Sequence, residues 1–205
     1  RRDLGLHGGM VTDEVANLVD IGALNCSRKT IDTNTLICGA AMGTQRVFDW
    51  AADRTDIKYC GADYTHCVPV VAQIDNFVSI NSTLEVDLTG QANSETINAR
   101  QISGTGGLVD FVRGARMANN GRSVLALSAT AADSKISRIV PTLQAGAAVS
   151  CPRADTDYVV TEFGAARMKD KSVDERAEAL IAIADPKFHG ELSEAWKEQR
   201  KRMGG

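Results

Sequence analysis

Glycines stand at three of four successive positions in Ser103-Gly104-Thr105-Gly106-Gly107-Leu108, and an apolar pattern follows at once, with Leu108, Phe111, Val112 and Ala115 at i, i+3, i+4 and i+7. Such a run opens an amphipathic helix. The N–H groups at its start have no partner within the helix and carry partial positive charge, so they can hold a phosphate or a developing oxyanion. Glycine also lets another molecule approach the main chain closely. The bland reading is a tight connection. The spacing is neither Gly-x-x-x-x-Gly-Lys-Ser/Thr nor Gly-x-Gly-x-x-Gly, so neither nucleotide class is favoured.

Three further groups could carry chemistry. Glu85 and Asp87 alternate with Leu84, Val86 and Leu88 and so share one face of a strand. Paired carboxylates can serve as acid and base, with Glu85 the candidate base, or they can bond a neighbouring loop. Lys135 and Arg138 follow a small polar stretch beyond the carboxyl end of a buried strand expected at 124–127, where open α/β sheets place ligands and cations can clamp an anion. Cys60, His66 and Cys67 lie close together but lack a fourth ligand at zinc spacing, so no metal site is expected.

These residues need elements to position them. Thr12 can cap a helix carrying Val15, Leu18 and Val19 that stops at Gly22, and Thr44 opens another carrying Val47, Phe48 and Ala51. Strands are expected at 36–40, 57–60, 77–80, 84–88, 124–127 and 157–162. The polar, aperiodic residues 91–103 read as a long loop, in which Asn93, Ser94, Glu95, Arg100 and Gln101 are candidates for substrate contact. Ser172 with Glu175 forms a capping box, and a charged helix over 191–203 has Leu192 and Trp196 on its packed side. Strands alternating with helices imply an α/β domain with a largely parallel sheet.

Composition narrows the function. A chain of 205 residues can bury one substantial core, and a formal charge of -3 offers no broad basic surface for nucleic acid. No apolar run approaches the ~20 residues that span a bilayer, so no membrane partner is expected. Cys26, Cys38, Cys60, Cys67 and Cys151 are odd in number and scattered, which fits reduced thiols and a cytoplasmic location. The chain opens Arg1-Arg2-Asp3 with no methionine before Met10, as a piece of a longer polypeptide would.

Taken together, several stretches resemble the carboxyl-terminal domain of the acetyl-CoA hydrolase/transferase family, which includes 4-hydroxybutyrate, butyrate and acetate CoA-transferases. They are Asp3-Leu4-Gly5-Leu6-His7, Asn81-Ser82, Glu85-Val86-Asp87-Leu88-Thr89-Gly90-Gln91, the glycine run, Ser137-Arg138-Ile139-Val140-Pro141 and Val159-Val160-Thr161-Glu162-Phe163-Gly164. The resemblance covers residues 1–205 and implies a three-layer α/β/α sandwich with an upstream domain missing from this chain. It implies coenzyme A or acyl-CoA as substrate and no tightly bound cofactor. A small carboxylate is the second substrate, and a homodimer is among the assemblies it allows.

Within the site, the resemblance implies that Gly106 and Gly107 offer backbone N–H to the thioester oxygen. Gly104, Thr105, Asp110, Gly8, Gly9, Asn81, Gln91, Lys135 and Arg138 are the candidates for substrate or CoA contact. One departure stands out. CoA-transferases of this family carry a glutamate nucleophile at the position of Gly9, and glycine cannot form the glutamyl-CoA thioester on which ping-pong transfer depends. Glu14, Glu85 or Glu95 would have to replace it, or water would attack directly. Loss of the glutamate also leaves open carbon–carbon bond cleavage of a CoA-linked substrate, or a non-catalytic CoA-binding module.

Overall fold

The computed structural model describes residues 1–204 and divides the chain into two compact units. The first comprises Arg1–Phe77 and Arg113–Gly121; the second comprises Val78–Val112 and the chain from Arg122 onward.

In the first unit, Leu36–Cys38 pairs in parallel with Ile57–Tyr59, and Met10–Val11 pairs in parallel with Ala40–Ala41. All three residues of Leu36–Cys38 are buried, which is why this strand reads as a continuous apolar run rather than an alternation. The helices Asp13–Asp20 and Gln45–Ala52 supply Val15, Leu18, Val19 and Trp50 to a core built on Leu24, Cys26 and Leu36. Thr12 takes the cap position of the first helix, yet its hydroxyl donates to the Glu14 carboxylate at 2.8 Å instead of accepting from the backbone. Gly22, at φ +70°, follows the helix end as expected.

The second unit carries a four-stranded sheet in the order Gly164–Arg167, Tyr158–Thr161, Arg122–Ala126, Val78–Ser82. The last three strands run parallel and the first is antiparallel. Leu125, Val159 and Ala166 of the sheet pack with Leu108 and Val112 of the helix Leu108–Met117. Leu180 of Val173–Ala182 and Leu192 and Trp196 of His189–Arg202 close the same core. Each such side chain contributes ~1.5–3 kcal/mol of burial. The α/β class expected from the alternation of strands and helices is therefore the observed one.

One reading needs correction. Residues 91–103 are not structureless: they hold the short strands Ala92–Asn93, Thr96–Ile97 and Arg100–Gln101. Asn93 is 1 % exposed and organises them, its Oδ1 accepting from Glu95 N, Thr96 N and Thr96 Oγ1 while its Nδ2 donates to Thr96 O. The strand expected at 157–162 ends in a turn at Glu162 and Phe163, after which Gly164–Arg167 doubles back on Tyr158–Thr161 as an antiparallel strand.

Candidate active site

The glycine run lies where an anion could reach it. Residues 104–106 are exposed and Gly107 is half-buried, directly before the helix Leu108–Met117. Gly106 sits at φ +53°, a left-handed conformation that costs other residues ~1–2 kcal/mol. This twist turns the chain into the helix, whose first bonds are Leu108 N to Thr105 O at 3.3 Å and Phe111 N to Gly107 O at 3.0 Å. Among the described residues, none accepts a hydrogen bond from the backbone N–H groups of residues 104–107. Space around Gly104 and Gly106 is open to at least 4 Å from where a Cβ would stand. Asp110, in the first helical turn, is half-buried beside this loop in sequence.

The first unit holds Gly8 and Gly9 between His7 and Met10. A parallel bridge to Ile37 fixes His7, Gly8 N donates to Ile37 O at 3.0 Å, and Gly9 O accepts from Gly39 N at 3.1 Å and Ala40 N at 3.2 Å. Neither glycine has a left-handed φ, so the backbone would accept a side chain at either position. A Cβ on Gly8 would meet nothing within 4 Å. One on Gly9 would stand 3.6 Å from both Cε1 and Nε2 of His66, ordinary van der Waals contact. His66 is thus the neighbour of position 9, and its Nδ1 lies 2.7 Å from Thr65 Oγ1. The sequence shows His66 only as a partner of Cys60 and Cys67; its true relation spans 57 positions and leaves no local pattern. Among the described residues no cluster of His, Cys, Asp and Glu is arranged to hold a metal ion.

Elsewhere in the second unit, Glu85 and Arg138 line one cleft of about 190 Å³ with Asn93, Ile97 and Ile136. Asn93 Nδ2 donates to Glu85 Oε1 at 2.9 Å, and no described residue bonds the Arg138 guanidinium. Lys135 does not join this cleft. It stands exposed after the left-handed residues Ala132, Asp133 and Ser134, at the tip of the hairpin Thr130–Ala131 with Ile136–Ser137.

The two carboxylates expected as a pair have separate tasks. Asp87 is 2 % exposed and accepts from Thr89 N, Thr89 Oγ1, Gln91 N and Gln91 Nε2, which makes it the clasp of a turn. Gln91 accordingly holds that turn with its amide nitrogen. Asn81 Nδ2 donates to Ser79 Oγ at 2.7 Å on the strand Val78–Ser82. Glu14 accepts from Thr12, and Glu95 accepts from Ser150 and Gln101, so both are engaged locally.

The chain is thus α/β, with a glycine turn whose N–H groups have no partner among the described residues. Residues 43–196 match the family described as the acetyl-CoA hydrolase/transferase C-terminal domain, and the chain belongs to that family. It is 42% identical to the 4-hydroxybutyrate coenzyme A transferase of Clostridium kluyveri, across 97% of this chain and 46% of that protein. It is 44% identical to the succinyl-CoA:cyclohexane-1-carboxylate CoA transferase of Geobacter metallireducens, across 95% of this chain and 45% of that protein. The crystal structure of RipA from Yersinia pestis superposes with a TM-score of 0.92 at 41% identity, covering 98% of this chain and 45% of that one. The chain spans about half the length of these relatives. No helix among the described residues is long and apolar enough to cross a membrane.

Proposed function

We propose that this chain is the carboxyl-terminal part of an enzyme acting on acyl-CoA thioesters, and that hydrolysis is its reaction rather than transfer to a carboxylate. The observation that carries the reading is the glycine turn: successive main-chain N–H groups at residues 104–107 have no partner among the described residues and point to a site for negative charge. When a thioester carbonyl is attacked, charge collects on its oxygen, and Gly106 and Gly107 are the donors assigned to it. Gly104, Thr105 and Asp110 belong to the same wall. Membership of a family described by both hydrolase and transferase supports thioester chemistry in general.

Hydrolysis is favoured over transfer by position 9. A ping-pong transfer needs a carboxylate there, and Gly9 has none. Arg138, which no described residue bonds, is assigned to an anionic part of the substrate, and Lys135 to a more exposed one. Gly8, Asn81 and Gln91 are assigned to substrate contact by family position alone. The working location is the cytoplasm.

The test uses the protein in its natural full length, incubated with acetyl-CoA or butyryl-CoA with and without a carboxylate acceptor, while free CoA and intact protein mass are followed. Acceptor-independent release of CoA without a covalent adduct is the expected result. A glutamyl-CoA adduct would establish transfer instead. A shortened acyl-CoA would move the activity to carbon–carbon cleavage, and binding without turnover would leave a CoA-binding module.

A further inference from the structure

Within the second unit, the cleft that Glu85 and Arg138 line holds two groups of opposite charge that do not neutralise each other. Val86 pairs with Ile139 on parallel strands, and Glu85 and Arg138 stand one position earlier on each, so their backbones are about 4.8 Å apart. Among the described residues no ion pair joins the two side chains. The Glu85 carboxylate is held from its other side. Asn93, its antiparallel partner, donates Nδ2 to Oε1 at 2.9 Å and directs its remaining polar contacts to Glu95 and Thr96, while no described residue bonds Oε2. Ile97 and Ile136, both exposed, line the same cleft. One cation, one acceptor and an apolar rim are left for a guest.

Beyond the thioester reading, we infer that this cleft binds a short carboxylic acid that carries a hydroxyl or ammonium donor. Its carboxylate accepts from the Arg138 guanidinium, the donor bonds Glu85 Oε2, and the carbon chain lies against Ile97 and Ile136. Size agrees: about 190 Å³ is the share of about six liquid waters, room for a small acid and far too little for a whole coenzyme A. Charge agrees as well. A phosphate or pyrophosphate group brings more negative charge than a carboxylate and is repelled more strongly by Glu85, so the anionic group that Arg138 meets is a carboxylate and not a phosphate of CoA. Such an acid has two sources, the acid half of the substrate or a free ligand, and the chemistry that recognises it is the same for both.

The experiment is calorimetric titration of the natural full-length protein, without acyl-CoA, with three molecules of one shape. Valine carries an ammonium, α-hydroxyisovalerate a hydroxyl, and isovalerate neither. The expected result is saturable binding of the first two, at least about tenfold tighter than isovalerate. Arg138→Gln should weaken that binding about 10²-fold. In Glu85→Gln the amide oxygen still accepts from Asn93 while an amide nitrogen replaces Oε2, so binding should persist with the preference for a donor gone. On the unmutated protein, valine should protect Arg138 from phenylglyoxal, mapped by peptide mass. This second readout keeps the inference open to refutation if a variant misfolds.

Inhibition of acyl-CoA hydrolysis by the bound acid would identify it as the acid half of the substrate, and binding without inhibition would identify a free ligand; both support the cleft as its seat. No saturable binding of valine or α-hydroxyisovalerate, equal binding of isovalerate, undiminished binding by Arg138→Gln, or no protection of Arg138 would overturn the inference and leave the thioester reading standing. If the protein turns over no acyl-CoA, the thioester reading fails and the binding result stands by itself.

Discussion

Asp87 holds Gln91 twice: its Oδ1 accepts the backbone N–H of Gln91 at 3.0 Å, and its Oδ2 accepts the side-chain amide at 2.8 Å. The same carboxylate takes the N–H and hydroxyl of Thr89 at 2.9 and 2.7 Å. A buried carboxylate with four donors fixes the turn on which Glu85 and the following short strands depend. Replacing it by alanine leaves those donors unmatched. Asp87→Ala is expected to cost about 3 kcal/mol, read as a fall in the urea midpoint at constant slope. A change under half a kcal/mol would show that water replaces the carboxylate at little cost.

The glycine turn separates stability from function. Gly104 has no left-handed φ and open space where a Cβ would go, so Gly104→Val should leave the thermal midpoint where it is. Two methyl groups would nonetheless crowd the N–H groups of residues 104–107. Turnover of acyl-CoA by the full-length variant should fall about 10²-fold, the usual effect of losing one oxyanion donor. Kinetics equal to those of the parent would remove this loop from the site.

Position 9 invites the reverse change. Because the backbone there is ordinary and the nearest neighbour is at van der Waals distance, Gly9→Glu should fold normally. The new carboxylate would lie beside His66 and offer a nucleophile for the thioester. Intact-mass measurement after acyl-CoA treatment should then reveal a CoA adduct, with product formation becoming dependent on an acceptor acid. A variant that stays adduct-free and hydrolytic would show that a carboxylate at position 9 does not reach the thioester.

His7 gives the first unit a pH dependence. It is 6 % exposed, and its Nε2 must carry the proton that Thr65 O accepts, so the lone pair is on Nδ1, which is buried with no hydrogen-bond partner among the described residues. Burial, and after it the nearby charge of Lys29, lowers its pKa below the ordinary 6.5. In the interval below 6.5 the unfolded chain binds more protons than the folded one, so stability drops as pH falls through that window. The urea midpoint should decline from pH 7 to pH 5 more steeply in the parent than in His7→Asn. Parallel profiles would mean that His7 is not the group responsible.

Much of this architecture was legible because burial imposes periodicity. Leu36–Cys38 reads as a buried apolar run, the helix after the glycines shows its i, i+3, i+4, i+7 stripe, and Ser172 and Glu175 form the reciprocal cap that their spacing predicts. The short strands after Gln91 escape such reading, since two residues cannot establish an alternation and their order comes from the side chain of Asn93. For the site, the glycine turn is visible as a local run, whereas the approach of His66 to position 9 depends on how distant segments fold together. Arg138 and Glu85 were each singled out, but only the folded chain brings them to one cleft, and it leaves Lys135 outside. Asp87 misled for a simple reason: alternation reports which face a carboxylate occupies, not what it bonds.

The bareness of position 9 also changes which reagents the protein should notice. Hydroxylamine and borohydride inactivate enzymes that pass through a thioester of a protein carboxylate, because they capture or reduce that thioester while it exists. A chain with glycine at this point has no such bond to offer there. Under turnover it should keep its activity in the presence of either reagent, so a simple inhibition assay would distinguish it from an enzyme that works through an acylated carboxylate.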